Sequence, residues 1–176
     1  QSGSTYYAEF QDTLSAPTSY VATATSAFRT AQAIEADTAS SLHLTSNRAD
    51  HIILYHSAFA AQAETLRAHR ATQMPTVKVD VQDVYDQFGY GIVGVNPIHD
   101  FLAYTYNSWQ DPAPSFVVLF GDGSWDPKDY NAQNRVDHIP AYLAVCDPWI
   151  GETAADNRYV TLVGGDVFPD MMLGRL

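Results

Sequence analysis

Only one cysteine, Cys146, occurs among the 176 residues. An intrachain disulfide framework, a thiolate zinc site and a C-x-x-C redox pair are therefore excluded. Basic residues are scarce too: 9 Lys and Arg stand against 20 Asp and Glu, a net charge of −11. No Lys/Arg cluster exists to follow a phosphate backbone or an anionic bilayer, which argues against nucleic acid and acidic membrane surfaces as partners. No apolar stretch approaches the roughly eighteen residues of a membrane span, and no signal-peptide pattern is present. Charged residues make up 16% of the chain, well under the usual share of about a quarter, so this is not the composition of a disordered chain.

What the chain has is apolar mass. Apolar residues account for 46%, with 11 Tyr, 8 Phe and 3 Trp, enough for a sizeable core and one domain. Residues 1–47 are rich in Ser, Thr and Ala with scattered aromatics, and read as an N-terminal extension or the tail of a preceding region. Ala31–Ser41 looks locally helical. Residues 48–176 read as the folded unit. The sequence opens at Gln1 and stops at Leu176 directly after the apolar run Met171–Leu173, as expected of a piece of a larger protein.

From Asp50 the pattern sharpens. His51–His56, Thr76–Val81 and Ser115–Phe120 are short apolar or β-branched runs typical of buried strands. Ala141–Val145, Tyr159–Val163 and Met171–Leu173 are later strand candidates. Ser57 is placed to cap a helix ended by Pro75, and Val81, Val84, Tyr85 and Phe88 recur at helical spacing. Asn96-Pro97 opens a third helix as N-cap and first-turn proline, with Ile98, Phe101, Leu102, Thr105, Tyr106 and Trp109 on one face. Alternating strands and helices predict an α/β fold, a mostly parallel sheet with helices on both faces. In such folds the working residues stand on loops leaving the carboxyl ends of strands.

Several constellations there invite chemistry. Gly89-x-Gly91-x-x-Gly94 fits a dinucleotide fingerprint in spelling, but it follows a helix instead of a strand and reads as a turn. His56, Ser57 and Asp122 suggest a hydrolase triad. Adjacent His and Ser side chains rarely form the nucleophile–base hydrogen bond, however, and no G-x-S-x-G elbow occurs. The loop Gly121–Asn131 places Asp122, Ser124, Asp126 and Asp129 within eight residues. Alternating oxygen-bearing side chains resemble the start of a calcium loop; the alternative is a wide turn held by Asx hydrogen bonds. From Asp111 onward there are ten acids and four bases, and a carboxylate at the base of a pocket would select a guanidinium or ammonium group. Most surface carboxylates are merely solvated. Cys146 has apolar and acidic neighbours, which favour a buried structural thiol over a nucleophile.

An ordered series of blocks carries a family resemblance. Ala49–His56 is like the opening strand of the gingipain-like cysteine peptidases, peptidase family C25, and Asp83–Phe88 is like their "I-Y-x-x-F" helix. Pro97–Leu102 is similar to "A-I-R-x-F-L", with His99 where arginine is usual. Phe116–Asp126 resembles "V-L-L-x-G-D-G-S-(Y/W)-D". Ile139–Tyr142, Asp156–Tyr159, Gly164–Asp166 and Met171–Leu176 complete the series, the last like "I-G-R-(F/L)".

The resemblance implies a caspase-like, flavodoxin-like three-layer α/β subdomain of a secreted or cell-surface bacterial endopeptidase. It places the catalytic histidine, in a Gly-His-Gly stretch, and the nucleophilic cysteine downstream of the "I-G-R" strand. This chain would then lack the dyad, be inactive alone, and have as partners the downstream half of its own domain and a protein or peptide substrate. Asp156 matches the aspartate at the base of the primary pocket in arginine-specific relatives, and cleavage after Arg or Lys is implied. Asp122 and Glu152 are both candidates for orienting the absent histidine. The rival reading is a non-catalytic flavodoxin-like binding or scaffold module, or a pseudo-peptidase of a secretion system.

Overall fold

Runs of β-branched and aromatic residues make the central sheet. In the computed structural model, which describes residues 9–13, 15–31, 33, 34 and 36–176 but not the side chains of residues 146 and 147, these are β1 (His51–Tyr55), β2 (Thr76–Asp80) and β3 (Phe116–Phe120). The remaining strands are β4 (Leu143–Asp147), β5 (Gly151–Ala154) and β6 (Met172–Arg175). The helices are α1 (Ala60–Arg70), α2 (Val81–Gly89) and α3 (Val95–Ser108). The four-stranded sheet has the order β2-β1-β3-β6 and is parallel throughout. β4 and β5 form a separate antiparallel pair.

Period-two alternation sends the sheet's side chains to two layers. Ile52, Leu54, Val117 and Leu119 face the main core, in one cluster with Val84, Ile98, Phe101 and Leu102 of α2 and α3. The opposite face receives α1: Lys78 lies 3.2 Å from Glu64 of that helix and over the ring of Tyr55. The expected α/β architecture, with helices on both faces, is therefore present. Gly89 lets α2 and α3 meet, because a Cβ there would lie 2.5 Å from Pro97 Cγ. The Gly89–Gly94 turn ends α2, with Tyr90 in the left-handed region and Gly91 N donating to Tyr85 O.

The boundaries differ from expectation in instructive ways. Two compact units are present, Gln1–Asp37 and Thr38–Leu176. Residues 38–47, grouped with the extension on composition, pack on the α/β unit: Leu42 is buried and its carbonyl accepts from Trp109 Nε1 at 3.0 Å. Among the described residues of the first unit, Phe10 and Tyr20 are in ring contact and Thr25–Ala27 forms a helical turn. The described residues of 31–41 form no helix; residues 32 and 35 of that segment lie outside the described residues.

Ser57 does not cap α1. His56 does the capping, its Nδ1 accepting from Ala58 N at 3.2 Å at the start of a 3-10 turn that leads into the helix. α3 begins one residue before Asn96, so Gly94 is its N-cap. The Tyr159–Val163 strand candidate is largely a 3-10 turn, Asp156–Val160. Tyr159 and Val160 are consecutive and both fully buried, which an alternating strand with one solvated face cannot provide.

Candidate functional site at the carboxyl ends of the sheet

The loop after β3 is held by backbone. Asp122 O accepts from His138 N and Ile139 N at 3.0 and 3.2 Å, and a Cβ on Gly123 would lie 2.7 Å from both Ala141 N and Ile139 O. Only glycine permits this approach. Ser124 N then donates to Asp137 Oδ1 at 2.7 Å, which ties the two ends of the loop 124–137 together.

Arg175, at the end of β6, fastens the same region. Its Nη1 donates to Gly121 O and Ile139 O, both at 2.8 Å, and Nη2 donates to Pro140 O at 3.1 Å. Its Nε donates to Asp156 Oδ2 at 2.8 Å, while Asp156 Oδ1 accepts from Tyr142 N at 3.0 Å. One guanidinium, with a side chain 18% exposed, joins the β3 loop, the 139–140 segment and the 3-10 turn. Its planar fork of five donors suits this role, which a point-charge ammonium could not fill.

Beside the clasp sit two imidazoles. The rings of His56 and His138 are edge to face, with centroids 5.0 Å apart, and Phe59 lies 4.9 Å from His138. His138 Nδ1 is buried and finds no partner among the described residues. Deeper in, burial raises the hydroxyl pKa of Tyr85 and Tyr159. Tyr159 donates to Pro140 O at 2.8 Å, whereas the Tyr85 hydroxyl has no partner among the described residues. Burial likewise lifts the Asp137 carboxyl above the usual carboxylate range, against a smaller opposing effect of the Ser124 N–H.

The calcium candidates do not converge. Asp126 accepts from Tyr130 N, Asn131 N and Asn131 Nδ2, and Asp129 accepts from Gln133 N and Asn134 N. Ser124 Oγ accepts from Asp126 N, and Asp122 Oδ1 from Gly123 N. Calcium requires about six to eight oxygens aimed at one point, and these oxygens accept instead from the loop's own N–H groups. The Asn131 and Tyr130 hydrogen bonds hold the Asp126 carboxyl below its ordinary value. Among the described residues no group of three or more His, Cys, Asp or Glu side chains is placed to hold a metal. The loop has the geometry of linked Asx turns.

The model of "Peptidase family C25" matches residues 44–176. The chain belongs to peptidase family C25. Among solved structures it is similar to dimeric latent PorU from Porphyromonas gingivalis, at 21% identity and a TM-score of 0.56. The likeness covers 73% of this chain but only 14% of the PorU chain. It supports a caspase-like α/β fold. No curated protein matches the chain.

In this C25 chain the residues singled out by resemblance are spread over different elements. Asp156 stands in the clasp with both oxygens engaged. Asp122 is exposed at the end of β3, and Glu152 is exposed on β5, opposite Val145 of the hairpin. Among the described residues no hydrogen bond links His56, Ser57 and Asp122 into a triad. Cys146 lies in β4. Composition and motif reading gave no role to Arg175, Asp137 or His138. For Arg175 a signal existed: a guanidinium directly after Met-Met-Leu-Gly, in a chain poor in bases, needs partners at the end of its strand. No helix among the described residues is long and apolar enough to cross a membrane.

Proposed function

We propose that this chain supplies the sheet scaffold and part of the substrate-binding wall of a C25 cysteine endopeptidase, secreted or displayed on a bacterial cell surface and cleaving after Arg or Lys. The observation that carries the reading is the Arg175 clasp, which gathers Gly121, Ile139, Pro140 and Asp156 where an α/β sheet carries its site. In such an enzyme a thiolate attacks the scissile carbonyl, a histidine passes the proton to the leaving amine, and water releases the acyl group. The sequence contains no Gly-His-Gly. We therefore assign nucleophile and base to residues outside these 176, with the present chain shaping the cleft they complete. Of the two acids suggested for orienting the histidine, Asp122 is better placed than Glu152, because it stands at the carboxyl end of β3.

The test compares this chain with a longer form of the protein on fluorogenic peptides ending in Arg or Lys. The 176 residues alone are expected to give no turnover above blank, before and after Cys146→Ala. A longer form carrying Gly-His-Gly and a later cysteine should cleave, and thiol alkylation should abolish that cleavage. A longer form that has neither motif and no activity would favour the scaffold or pseudo-peptidase reading instead.

A further inference from the structure

The site at the carboxyl ends of the strands leaves the opposite end of the sheet unused. There His51, Phe116 and Met172 open β1, β3 and β6 as lateral partners in register. Period two turns them, with Val118 and Gly174, to the face that carries α1. α1 packs on β1 and β2. Its last residue, Arg70, and Met74 beyond it border a cavity of about 350 Å³ that continues over β3 and β6. Space is open above Gly174, where a Cβ would meet no atom within 4 Å. The lining is apolar apart from His51 and Arg70, and it holds no acid, in a chain of net charge −11. His51 is only 4% exposed, its Nδ1 is buried, and among the described residues neither ring nitrogen has a hydrogen-bond partner. Arg70 Nη1 donates to Gln73 Oε1 at 3.3 Å, which leaves most of its fork free.

We propose that this cavity binds an amphipathic monocarboxylate, a short aliphatic acid, with its carboxylate between Arg70 and the His51 ring and its alkyl chain over Phe116, Val118 and Met172. The carboxylate matches the planar guanidinium fork and gives the imidazole an acceptor. The alkyl chain covers apolar walls that are otherwise wet. A phosphate group would need more donors than one fork and one ring, and a cation would find no counter-charge. Burial, and then the Arg70 charge, hold the His51 imidazole below its ordinary value, so the free pocket carries a neutral ring at neutral pH. A bound carboxylate offsets the Arg70 charge and favours the imidazolium. Binding therefore takes up a proton and tightens as pH falls.

The test follows amide chemical shifts of this chain, and of a longer form of the protein, while hexanoate is added at neutral pH and at about pH 5.5. Hexanamide and hexylammonium serve as the neutral and cationic counterparts. The expected result is saturable shifts at Arg70, Met74, Val118 and Gly174 with hexanoate alone, in both forms, and tighter at the lower pH. Arg70→Gln, on the exposed end of α1, should weaken binding about tenfold, as loss of a charge-assisted bond implies. His51→Phe keeps an aromatic ring against Phe116 and should remove the pH dependence. Met172→Trp, at an exposed position, should weaken binding by obstruction. Absence of saturable shifts, equal binding of hexanamide, preference for hexylammonium, or an Arg70→Gln variant of unchanged affinity would each overturn the proposal. So would loss of binding in the longer form, which would mean that further polypeptide fills the cavity. None of these results bears on the peptidase reading, which is tested by turnover.

Discussion

At the scale of single residues, Arg175 decides the geometry of the site. Removing the side chain would orphan Asp156 and release three carbonyls, and breaking a partly buried, hydrogen-bonded pair costs about 3 kcal/mol. Arg175→Ala is expected to lower stability in urea by about that amount. Arg175→Lys should rescue little, because one ammonium cannot replace a fork that reaches four acceptors. Full rescue by lysine would show that charge alone matters. Asp137 gives a second prediction, through pH. Its folded carboxyl value is raised by burial, so stability from this group is complete below the unfolded value and is lost as pH rises through the folded one. Asp137→Asn should therefore gain melting temperature relative to the parent between acid and neutral pH. A relative gain on acidification would reverse the sign and refute the burial argument.

At the scale of elements, legibility followed side-chain pattern. β1, β2 and β3 could be read because consecutive apolar or β-branched residues have few other homes, and α3 because its apolar face repeats over three turns. β5 could not: Gly151-Glu-Thr-Ala154 has no apolar alternation, and its pairing with β4 comes from a partner strand that no local pattern announces. The site was legible as a place, the carboxyl ends of the strands, but not as a set of contacts. Gly121, Ile139 and Arg175 meet across more than fifty residues of sequence. The loop 121–131 shows the same limit, since spacing alone could not separate a calcium loop from Asx turns. The hydrogen bonds to Asp126 and Asp129 are those of Asx turns, and on that reading thermal midpoints with calcium and with chelator should coincide. A rise with calcium would mean that the native state binds it.

At the scale of the whole molecule, composition drew the edge of the folded unit too late. Ser- and Thr-rich sequence resembles an extension, yet a few apolar and backbone groups within it complete the core. Tyr104 hydroxyl donates to His43 O at 2.6 Å, Gln87 Nε2 to Ser40 O at 2.7 Å and Gln110 N to Asn47 O at 2.9 Å. Trp109, 7% exposed, donates its indole N–H to Leu42 O. A chain starting at Arg48 would lose the burial of Leu42 and leave that indole N–H without its acceptor. Together these cost about 3 kcal/mol or more relative to a chain starting at Thr38. Equilibrium unfolding of the two truncations would measure the difference directly. Equal midpoints would mean that residues 38–47 only decorate the surface, and the folded unit would then begin where composition put it.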